Sequence, residues 1–284
     1  MNLLASALAA VVVGTWNGNW FPSGRAEHRA HPAVESATIS AAAKMLAEGL
    51  KAVDPAGTND VILCLGEIRG PHTASNLVAQ IGRRGLRVAS ISAYRRRDRF
   101  DMQQDVIATT LPVASAGWSR WRNAKELTPP RGYAFASVVV SPAVTANVYA
   151  VHLKSNYGAN TAFKRDMNRD KRTKAVEQLM EIERRKRGRK NPPVIIAGDL
   201  NADCWRKEFA EEKIFTMMAS AGFVNSLALL PEHARGTHPS KKWGDSALDY
   251  IMTRDFEILS APTIIPNDEL SDHYALFAVL DAGR

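Results

Sequence analysis

The sequence predicts an α/β protein, and three observations predict it. Short runs rich in Val, Ile and Leu alternate along the chain with segments of helical spacing. No internal repeat, low-complexity tract or long linker interrupts that alternation. The composition, with 45% hydrophobic and 23% charged residues, is that of a globular protein with a sizeable core. Because near-continuous apolar runs suit strands that are covered on both faces, we expect sheets sandwiched between helices.

The individual elements follow from the spacing of the apolar residues. The predicted strands are residues 11–16, 60–65, 138–140, 147–153 and 194–197. The predicted helices are residues 36–53, 73–84 and 162–187. In the last of these, the apolar stripe consists of Ala175, Val176, Leu179, Met180 and Ile182. Proline and glycine mark the loops between these elements.

Charge and cysteine content narrow the class of function. A net charge of +8 and a pI of about 9.6 favour a polyanionic partner. No apolar stretch reaches the ~18 residues of a membrane-spanning helix, so we expect no stable membrane insertion. Cys64 and Cys204 lack a Cys or His at zinc-ligand spacing and cannot form a disulfide framework. We expect one catalytic domain over residues 11–284, and a monomer.

Residues 1–10 are open to two interpretations. They are apolar and end in small residues, and Ala7-Leu8-Ala9 resembles a signal-peptidase site, but the positive n-region is missing. The alternatives are the remnant of a signal peptide and an apolar lead-in to the first strand. The sequence therefore leaves a secreted or periplasmic location and a cytoplasmic one equally open.

Polar side chains that can bind metal follow the predicted strands where each strand ends. They are Asn17, Glu67, His152, Asp199 and Asn201, joined near the C-terminus by Asp249, Asp272 and His273. Side chains presented from several strand ends meet at one edge of a sheet, on a rigid scaffold. Oxygen donors suit a hard ion such as Mg²⁺, and histidines suit acid–base chemistry near neutral pH. Each residue alone has a structural alternative, such as an Asx-turn at Asp199 and Asn201, but together they predict a metal-assisted site.

Six motifs stand in an order that resembles a known superfamily. They are TWN, LGEIRG, VHLKSN, GDLNADC, ALDYI and SDHYALF. This order resembles the endonuclease/exonuclease/phosphatase superfamily from about residue 11 to 280, and most closely its pancreatic-type deoxyribonuclease branch and bacterial relatives. The resemblance implies a four-layer α/β/β/α sandwich, in which two packed mixed sheets are flanked by helices and the site lies at one edge of the paired sheets.

The resemblance also implies roles for the polar residues. Glu67 and Asp272 would bind the main metal ion, assisted by Asn17. Asp199 and Asn201 would contact the scissile phosphate, and a second metal ion is an alternative at that place. The implied cofactor is Mg²⁺ or Mn²⁺, with Ca²⁺ as an alternative accessory ion.

Two histidines would carry the proton transfers. By the resemblance, His273 would be the base towards the attacking water, oriented by Asp249. His152 would protonate or steady the leaving oxygen. The carboxylate that partners this second histidine in the deoxyribonucleases has no clear equivalent here, and Asp98 is the candidate.

Substrate contacts are predicted from the same resemblance. Arg69 resembles the arginine that reaches into the DNA minor groove. Tyr94 with the basic run Arg95, Arg96 and Arg97 resembles a loop that stacks on a sugar and contacts phosphates. A solvated basic loop is the alternative for that run. Lys154 and Asn156, which follow His152 in the sequence, complete the predicted substrate-binding set.

The function predicted from these residues is divalent-metal-dependent hydrolysis of a phosphodiester, most simply by a DNA endonuclease of low sequence specificity. Sphingomyelinases and inositol-phosphate phosphatases use the same apparatus, so the fold does not fix the substrate. A sphingomyelinase is expected to expose an aromatic hairpin to the membrane, and Trp118 and Trp121 are the only candidates for one. A catalytically dead binding module is not favoured, because every motif keeps its reactive residue.

Overall fold

The computed structural model describes residues 10–23, 31–96, 99–100, 103–186, 191–241, 244–267 and 269–281. The helices are α1 (Pro32–Val53), α2 (Pro71–Gln80), α3 (Ala162–Lys186) and α4 (Ile214–Ser220). The strands are β1 (Ala10–Phe21), β2 (Asp60–Ile68), β3 (Arg87–Ile91), β4 (Arg95–Arg96), β5 (Arg99–Phe100), β6 (Gln104–Thr109), β7 (Val113–Arg120), β8 (Gly132–Ser141), β9 (Val144–His152), β10 (Val194–Asp199), β11 (Val224–Asn225), β12 (Asp249–Arg254), β13 (Glu257–Ile258), β14 (Thr263–Ile265) and β15 (Ala275–Asp281). Of the segment 1–10, only Ala10 is among the described residues, and it is the first residue of β1.

Two mixed sheets form the centre of the fold. The first has seven strands in the order β13-β15-β1-β2-β6-β3, with β14 also paired to β15. The second has six strands in the order β11-β12-β10-β9-β8-β7. Each sheet contains one central parallel pair, β1 with β2 and β9 with β10, among antiparallel neighbours. The predicted sandwich of two packed mixed sheets with helices is confirmed.

The alternation of side chains along β1 explains the layers. Val11 and Val13 pack in a core cluster that includes buried residues of the second sheet, whereas Val12 and Trp16 pack in a cluster with α1 and α2. Successive residues of a strand point to opposite faces, so the first sheet has one face on the second sheet and the other on the two helices. Fully burying such a side chain stabilises the fold by about 1.5–3 kcal/mol.

The helices lie on the outer faces. On α1, a Cβ added at Gly49 would lie 2.2 Å from Phe277 of β15, so glycine permits a close approach of the helix to the first sheet. On α3, the predicted apolar stripe packs against the second sheet through Ala175, Val176 and Leu179. Among the residues described, no helix is both long and apolar enough to cross a membrane.

The ends of β1 and β2 are irregular, and this irregularity shapes the site. The register between β1 and β2 shifts between Asn17 and Phe21, and the register between β2 and β6 shifts between Leu65 and Ile68. Glu67 lies inside the second irregularity with φ +58°, in the left-handed region. A bulge of this kind changes the direction of a side chain at a strand end.

Candidate active site

Strand ends from both sheets place polar side chains at one edge of the sandwich. In the first sheet, Asn17 of β1 pairs with Gly66 of β2, and Gly66 directly precedes Glu67. In the second sheet, Asp199 at the end of β10 lies between His152 of β9 and Asp249 of β12. These neighbours come from distant parts of the sequence. The strands bring them together at one edge of the sandwich, where the sequence predicts that they meet.

Asn17 joins the two sheets across this edge. Its Nδ2 donates to Glu67 Oε1 at 3.3 Å and to Asp199 Oδ2 at 3.0 Å. Its Oδ1 accepts from the backbone N–H of Asn19 at 3.0 Å, which fixes the orientation of the amide. All three side chains of the bridge are buried, so the two carboxylates are held close together away from bulk water.

Glu67 is held in a strained backbone conformation. Few residues other than glycine adopt its positive φ, and such residues concentrate at functional sites. Its Oε2 accepts from the backbone N–H of Trp20 at 3.1 Å, and its Oε1 lies 3.6 Å from His152 Nε2. The carboxylate therefore faces the histidine of the opposite sheet.

The Gly198-Asp199-Leu200-Asn201 turn needs its glycine. Gly198 has φ +140°, and a Cβ at this position would lie 2.0 Å from the carbonyl oxygen of Val151. Asn201 donates from its backbone N–H to Asp199 Oδ1 at 2.7 Å and from Nδ2 to Asp199 Oδ2 at 2.8 Å. Burial raises the pKa of Asp199 to about 7, although the charge of His273 acts in the opposite direction. The turn thus combines Asx-turn geometry with a buried carboxylate that faces the site.

His273 forms a buried dyad with Asp249. The two are joined by His273 Nδ1 and Asp249 Oδ2 at 2.7 Å, and Thr237 Oγ1 donates to the same Oδ2 at 2.9 Å. Burial alone would lower the pKa of His273, but Asp249 and then Asp199 raise it to about 10. The Nε2 of His273 is left to face Asp199 Oδ2 at 3.9 Å and Asp272 Oδ1 at 4.0 Å. Thr237 has no place in the strand-end pattern, and the sequence reasoning missed it.

His152 is the second buried imidazole of the site. Its Nε2 lies 3.6 Å from Asp199 Oδ2, the same distance as from Glu67 Oε1. Burial, together with Arg131, His273 and Lys154, lowers the pKa of His152 well below its usual value. Within the described residues its Nδ1 has no hydrogen-bond partner. Asp98, the partner suggested by the sequence, lies outside the described residues.

Two arginines that the sequence reasoning missed hold the segment after His152. Arg131 donates from Nε to the carbonyl oxygen of His152 at 3.1 Å and from Nη2 to that of Leu153 at 2.7 Å. Arg172, only 1% exposed, donates from Nη1 to the carbonyl oxygen of Lys154 at 2.7 Å and to Asn156 Oδ1 at 3.2 Å. The segment 152–156 is therefore fixed relative to the site.

Asp272 lies at the rim of the site, with a side chain 53% exposed. Its nearest imidazoles are His238, with Nε2 at 3.8 Å from Oδ2, and His273. The donor atoms of His238, Asp272 and His273 all lie within 4.8 Å of one another. His238 was not a predicted site residue, because it follows no predicted strand.

The donor set fits a divalent cation. Among the residues that the structure describes, the ion-pair partners within 4.0 Å of Glu67, Asp199 and Asp249 are histidines, with no Lys or Arg. Buried carboxylates are costly without a compensating charge, and oxygen donors suit Mg²⁺ or Mn²⁺. That Glu67, Asn17 and Asp272 are the ligands stays a prediction.

Two of the predicted substrate residues are engaged within the protein. Arg69 donates from Nη1 to Glu35 Oε1 at 2.5 Å and from Nη2 to Ser23 Oγ at 2.6 Å, so a phosphate would have to compete with Glu35. Tyr94 is 1% exposed, and its hydroxyl donates to Asp105 at 3.0 Å, so in this conformation its ring is not available to stack on a sugar.

The other predicted substrate residues are Arg96, Lys154 and Asn156. The side chain of Arg96 lies outside the described part of the chain. Lys154 Nζ donates to the carbonyl oxygen of Ser155 at 2.8 Å, and burial together with neighbouring Arg131 lowers the pKa of Lys154 to about 8. Asn156 lies close by, held by Arg172. Lys154 is therefore a cation next to His152 with no carboxylate partner in an ion pair among the described residues.

Comparison with known proteins decides the family. The sequence matches the family model described as "Endonuclease/Exonuclease/phosphatase family" over residues 14–273, which include every predicted site residue. This chain belongs to the endonuclease/exonuclease/phosphatase family. The superfamily predicted from the motifs is thus confirmed, and the deoxyribonuclease branch stays a prediction.

Solved structures of the endonuclease/exonuclease/phosphatase fold resemble the chain over most of its length. A family member from Beutenbergia cavernae has 15% identity and a TM-score of 0.67, over 97% of this chain and 72% of that one. One from Leptotrichia buccalis has 11% identity and a TM-score of 0.64, over 95% and 99%. Sphingomyelinase C from Streptomyces griseocarneus has 16% identity and a TM-score of 0.60, over 95% and 99%. At these identities the similarity shows the fold alone. A search of curated proteins found no match.

Proposed function

We propose that this chain is a divalent-metal-dependent phosphodiester hydrolase, and that its substrate is nucleic acid, most simply DNA cleaved with little sequence preference. One observation carries the proposal. Buried carboxylates from both sheets lie beside two buried imidazoles at one edge, with no Lys or Arg in an ion pair with Glu67, Asp199 or Asp249 among the described residues. Family membership supports the hydrolysis of a phosphoester.

The proposed chemistry assigns each group one task. Glu67 and Asp272, with Asn17, would hold Mg²⁺ or Mn²⁺, which when bound supplies positive charge to the phosphoryl oxygens. Asp199 and Asn201 would orient the scissile phosphate.

The proton transfers would fall to the two imidazoles. His273 Nε2 would accept a proton from the attacking water, while Asp249 stabilises the imidazolium that forms. On the leaving side, His152 would hold the oxygen by a hydrogen bond from Nε2–H, because its lowered pKa leaves the ring neutral. Protonation of that oxygen would need the ring to take up a proton first. Charges and hydrogen-bond donors that are in place before the reaction usually make the largest single contribution to stabilising the transition state.

The surface beside His152 supports a nucleic acid substrate. Lys154 presents a cation next to the site, and Tyr157, three residues further on, is 83% exposed. A cation with an exposed aromatic ring suits a phosphate and its neighbouring base. The net charge of +8 acts in the same direction.

The tryptophans do not form the exposed pair that a membrane hairpin needs. Trp121 is 4% exposed and packs against Tyr133 at 5.2 Å between ring centroids. Trp118 is 39% exposed and packs edge-on against Tyr94 at 5.8 Å. Trp118 and Trp121 therefore do not supply the aromatic hairpin that a sphingomyelinase is expected to expose.

A substrate panel tests the proposal. Purified protein with Mg²⁺ is assayed on plasmid DNA, RNA, sphingomyelin vesicles and inositol phosphates, with Glu67→Gln as the control for a contaminating enzyme. We expect cleavage of plasmid DNA that is absent in the variant. Hydrolysis confined to sphingomyelin or inositol phosphates would overturn the nucleic acid assignment, and activity in EDTA would overturn the metal dependence.

A second assay tests the contribution of Lys154. Lys154→Ala should lower kcat/KM for DNA and reduce the salt dependence of cleavage by about one phosphate contact, because Lys154 neutralises a backbone charge. Hydrolysis of bis(p-nitrophenyl) phosphate should change far less. The control is Lys174→Ala on α3, whose lysine pairs with Glu177 at 2.7 Å. Equal effects of both variants on DNA cleavage would contradict a contact at Lys154.

A further inference from the structure

The rim of the site carries a second group of metal-binding side chains, formed by His238, Asp272 and His273. His238 Nε2 lies 3.8 Å from Asp272 Oδ2, and His273 Nε2 lies 4.0 Å from Asp272 Oδ1. The two imidazole rings meet edge to face, with centroids 4.8 Å apart. Two imidazoles and one carboxylate, with room for water, are the donor set of many zinc sites, whereas Mg²⁺ prefers oxygen donors alone.

The backbone that carries these side chains is fixed by hydrogen bonds. His238 exchanges two of them with Ser246, at 2.9 Å and 3.0 Å. The backbone N–H of Tyr274 donates to the carbonyl oxygen of Thr237 at 2.7 Å. Thr237, which precedes His238, is thereby bonded to Tyr274, which follows His273, and the two imidazoles are held side by side.

The dyad presents His273 as a ligand. Because Asp249 takes the Nδ1–H, the nitrogen from which Zn²⁺ would displace a proton is Nε2, which faces Asp272. A carboxylate behind a histidine is the usual outer partner of a zinc ligand, and it fixes both the tautomer and the orientation of the ring. Asp249, which orients His273 in the proposed catalytic dyad, is already in the position of this outer partner.

The donors lie somewhat further apart than zinc requires. Zinc–nitrogen and zinc–oxygen bonds of ~2.0–2.2 Å place tetrahedral donor atoms ~3.3–3.6 Å apart. The 3.8 Å and 4.0 Å distances reach different oxygens of Asp272. With one oxygen from Asp272, the three donors lie within 4.8 Å of one another, so binding draws them together by at most ~1.5 Å. The side chains of Asp272 and His238 are 53% and 27% exposed, so both can move without disturbing the core.

We propose that His238, Asp272 and His273 form a Zn²⁺ site whose occupation inhibits the enzyme. The proposal that Zn²⁺ binds is argued from the donor geometry, and only its inhibitory consequence rests on the proposed function. A His273 Nε2 that binds Zn²⁺ cannot accept a proton from water, and an Asp272 that binds Zn²⁺ is withdrawn from the proposed Mg²⁺ site. Imidazole ligands bind Zn²⁺ more tightly than the hard ions, so Zn²⁺ should act at concentrations well below that of Mg²⁺.

Direct binding tests the site without any assay of activity. Metal-free wild type, His238→Ala and His72→Ala are titrated with Zn²⁺ by calorimetry, and with Co²⁺ by visible absorption, which reports tetrahedral coordination. His72 is an exposed histidine on α2 and serves as the matched control. We expect one Zn²⁺ per wild-type chain, the same in His72→Ala, and a Kd at least ~10-fold higher in His238→Ala. If His238→Ala does not fold, judged by circular dichroism, His238→Asn takes its place.

Two outcomes separate this inference from the proposed function. Equal Zn²⁺ affinity in wild type and His238→Ala, or no Zn²⁺ binding by wild type, would overturn the site. Loss of Zn²⁺ binding in His238→Ala from a protein that hydrolyses no phosphodiester would leave the site standing and remove the proposed function. With an active enzyme, the Zn²⁺ concentration for half-inhibition at fixed Mg²⁺ should rise at least ~10-fold in His238→Ala, in parallel with Kd; an unchanged value would overturn the inhibitory role.

Discussion

Replacing Asp249 by Asn tests the proposed base, because the change removes one buried charge and keeps the shape of the side chain. Asp249 is 0% exposed, and its Oδ2 meets both His273 Nδ1 and the hydroxyl of Thr237. That hydroxyl accepts the backbone N–H groups of Leu248 and Asp249, both at 3.0 Å, so its own hydrogen is left for Oδ2. An Asn should therefore place its carbonyl oxygen at the Oδ2 position, and the Nδ1–H of His273 keeps its acceptor.

The magnitude follows from what is lost. With the tautomer kept, the Asn variant loses only the negative charge opposite the imidazolium. A hydrogen bond to a charged group contributes about 1.5–3 kcal/mol and a neutral one about 0.5–1.5 kcal/mol, so loss of the charge costs about 1–1.5 kcal/mol. At 1.36 kcal/mol for each factor of ten, kcat should fall ~5- to 13-fold. Reversal of the tautomer in a hydrolase triad costs ~10⁴-fold. Adding Thr237→Val, which removes the donor that holds the Asn carbonyl, should move the loss towards that larger value.

The assay is kcat for Mg²⁺-supported hydrolysis of bis(p-nitrophenyl) phosphate as a function of pH, with circular dichroism as the control for folding. Burial lowers the pKa of His273, and Asp249 is the first of the charges that raise it to about 10. Loss of that charge lowers the pKa, so the acid limb of the kcat profile should move to lower pH. Wild-type kcat with an unmoved acid limb in Asp249→Asn would refute the reasoning about the dyad. Equal losses in the single and double variants would refute the role of Thr237.

Three further predictions concern the turn, the substrate and pH. Gly198→Ala should lower the free energy of unfolding by about 3 kcal/mol or more, measured in urea, because its Cβ would lie 2.0 Å from the Val151 carbonyl oxygen at φ +140°; a stable variant would contradict that geometry. Tyr157→Ala should lower kcat/KM on a single-stranded oligonucleotide ~5- to 150-fold, the cost of one lost stacking contact, with Tyr157→Phe close to wild type; equal activity of both variants would exclude stacking. In EDTA, the free energy of unfolding should fall as the pH rises from 6.5 to about 8, because the raised pKa of His273 gives a contribution that is complete below 6.5 and is lost as the pH rises towards about 10. Above about 8 the lowered pKa of Lys154 acts in the opposite direction. A flat profile between 6.5 and about 8 would contradict a charged His273.

The five predicted strands have continuous apolar runs, although β15, with the sequence ALFAVLD, has such a run and was not predicted. All five predicted runs lie in β1, β2, β8, β9 and β10, apart from Leu153, which directly follows β9. The edge strand β7 was missed because most of its side chains are partly or fully solvent-facing, so its sequence, VASAGWSR, carries no apolar alternation. In β6, Gln104 and Asp105 are fully buried polar residues whose side chains accept hydrogen bonds from Ser92 and Tyr94, and no rule of hydrophobic spacing finds such a strand.

The candidate site divides in the same way. Residues at strand ends, such as Asn17 and Asp199, could be predicted because strand direction fixes where they meet. Thr237 and His238 could not, since they reach the site on a loop whose position depends on pairing with Ser246. Arg172 donates from α3 to the backbone carbonyl oxygen of Lys154, and nothing in its sequence neighbourhood distinguishes it from a surface arginine.

The most direct test of the metal assignment is the position of Mn²⁺ in crystals of this protein, located by its anomalous scattering. We predict a peak within bonding distance of a Glu67 carboxylate oxygen, between Asn17 and Asp272. The assignment would be contradicted if the protein used for the crystals is active on phosphodiesters and the Mn²⁺ peak lies elsewhere, with no metal at Glu67.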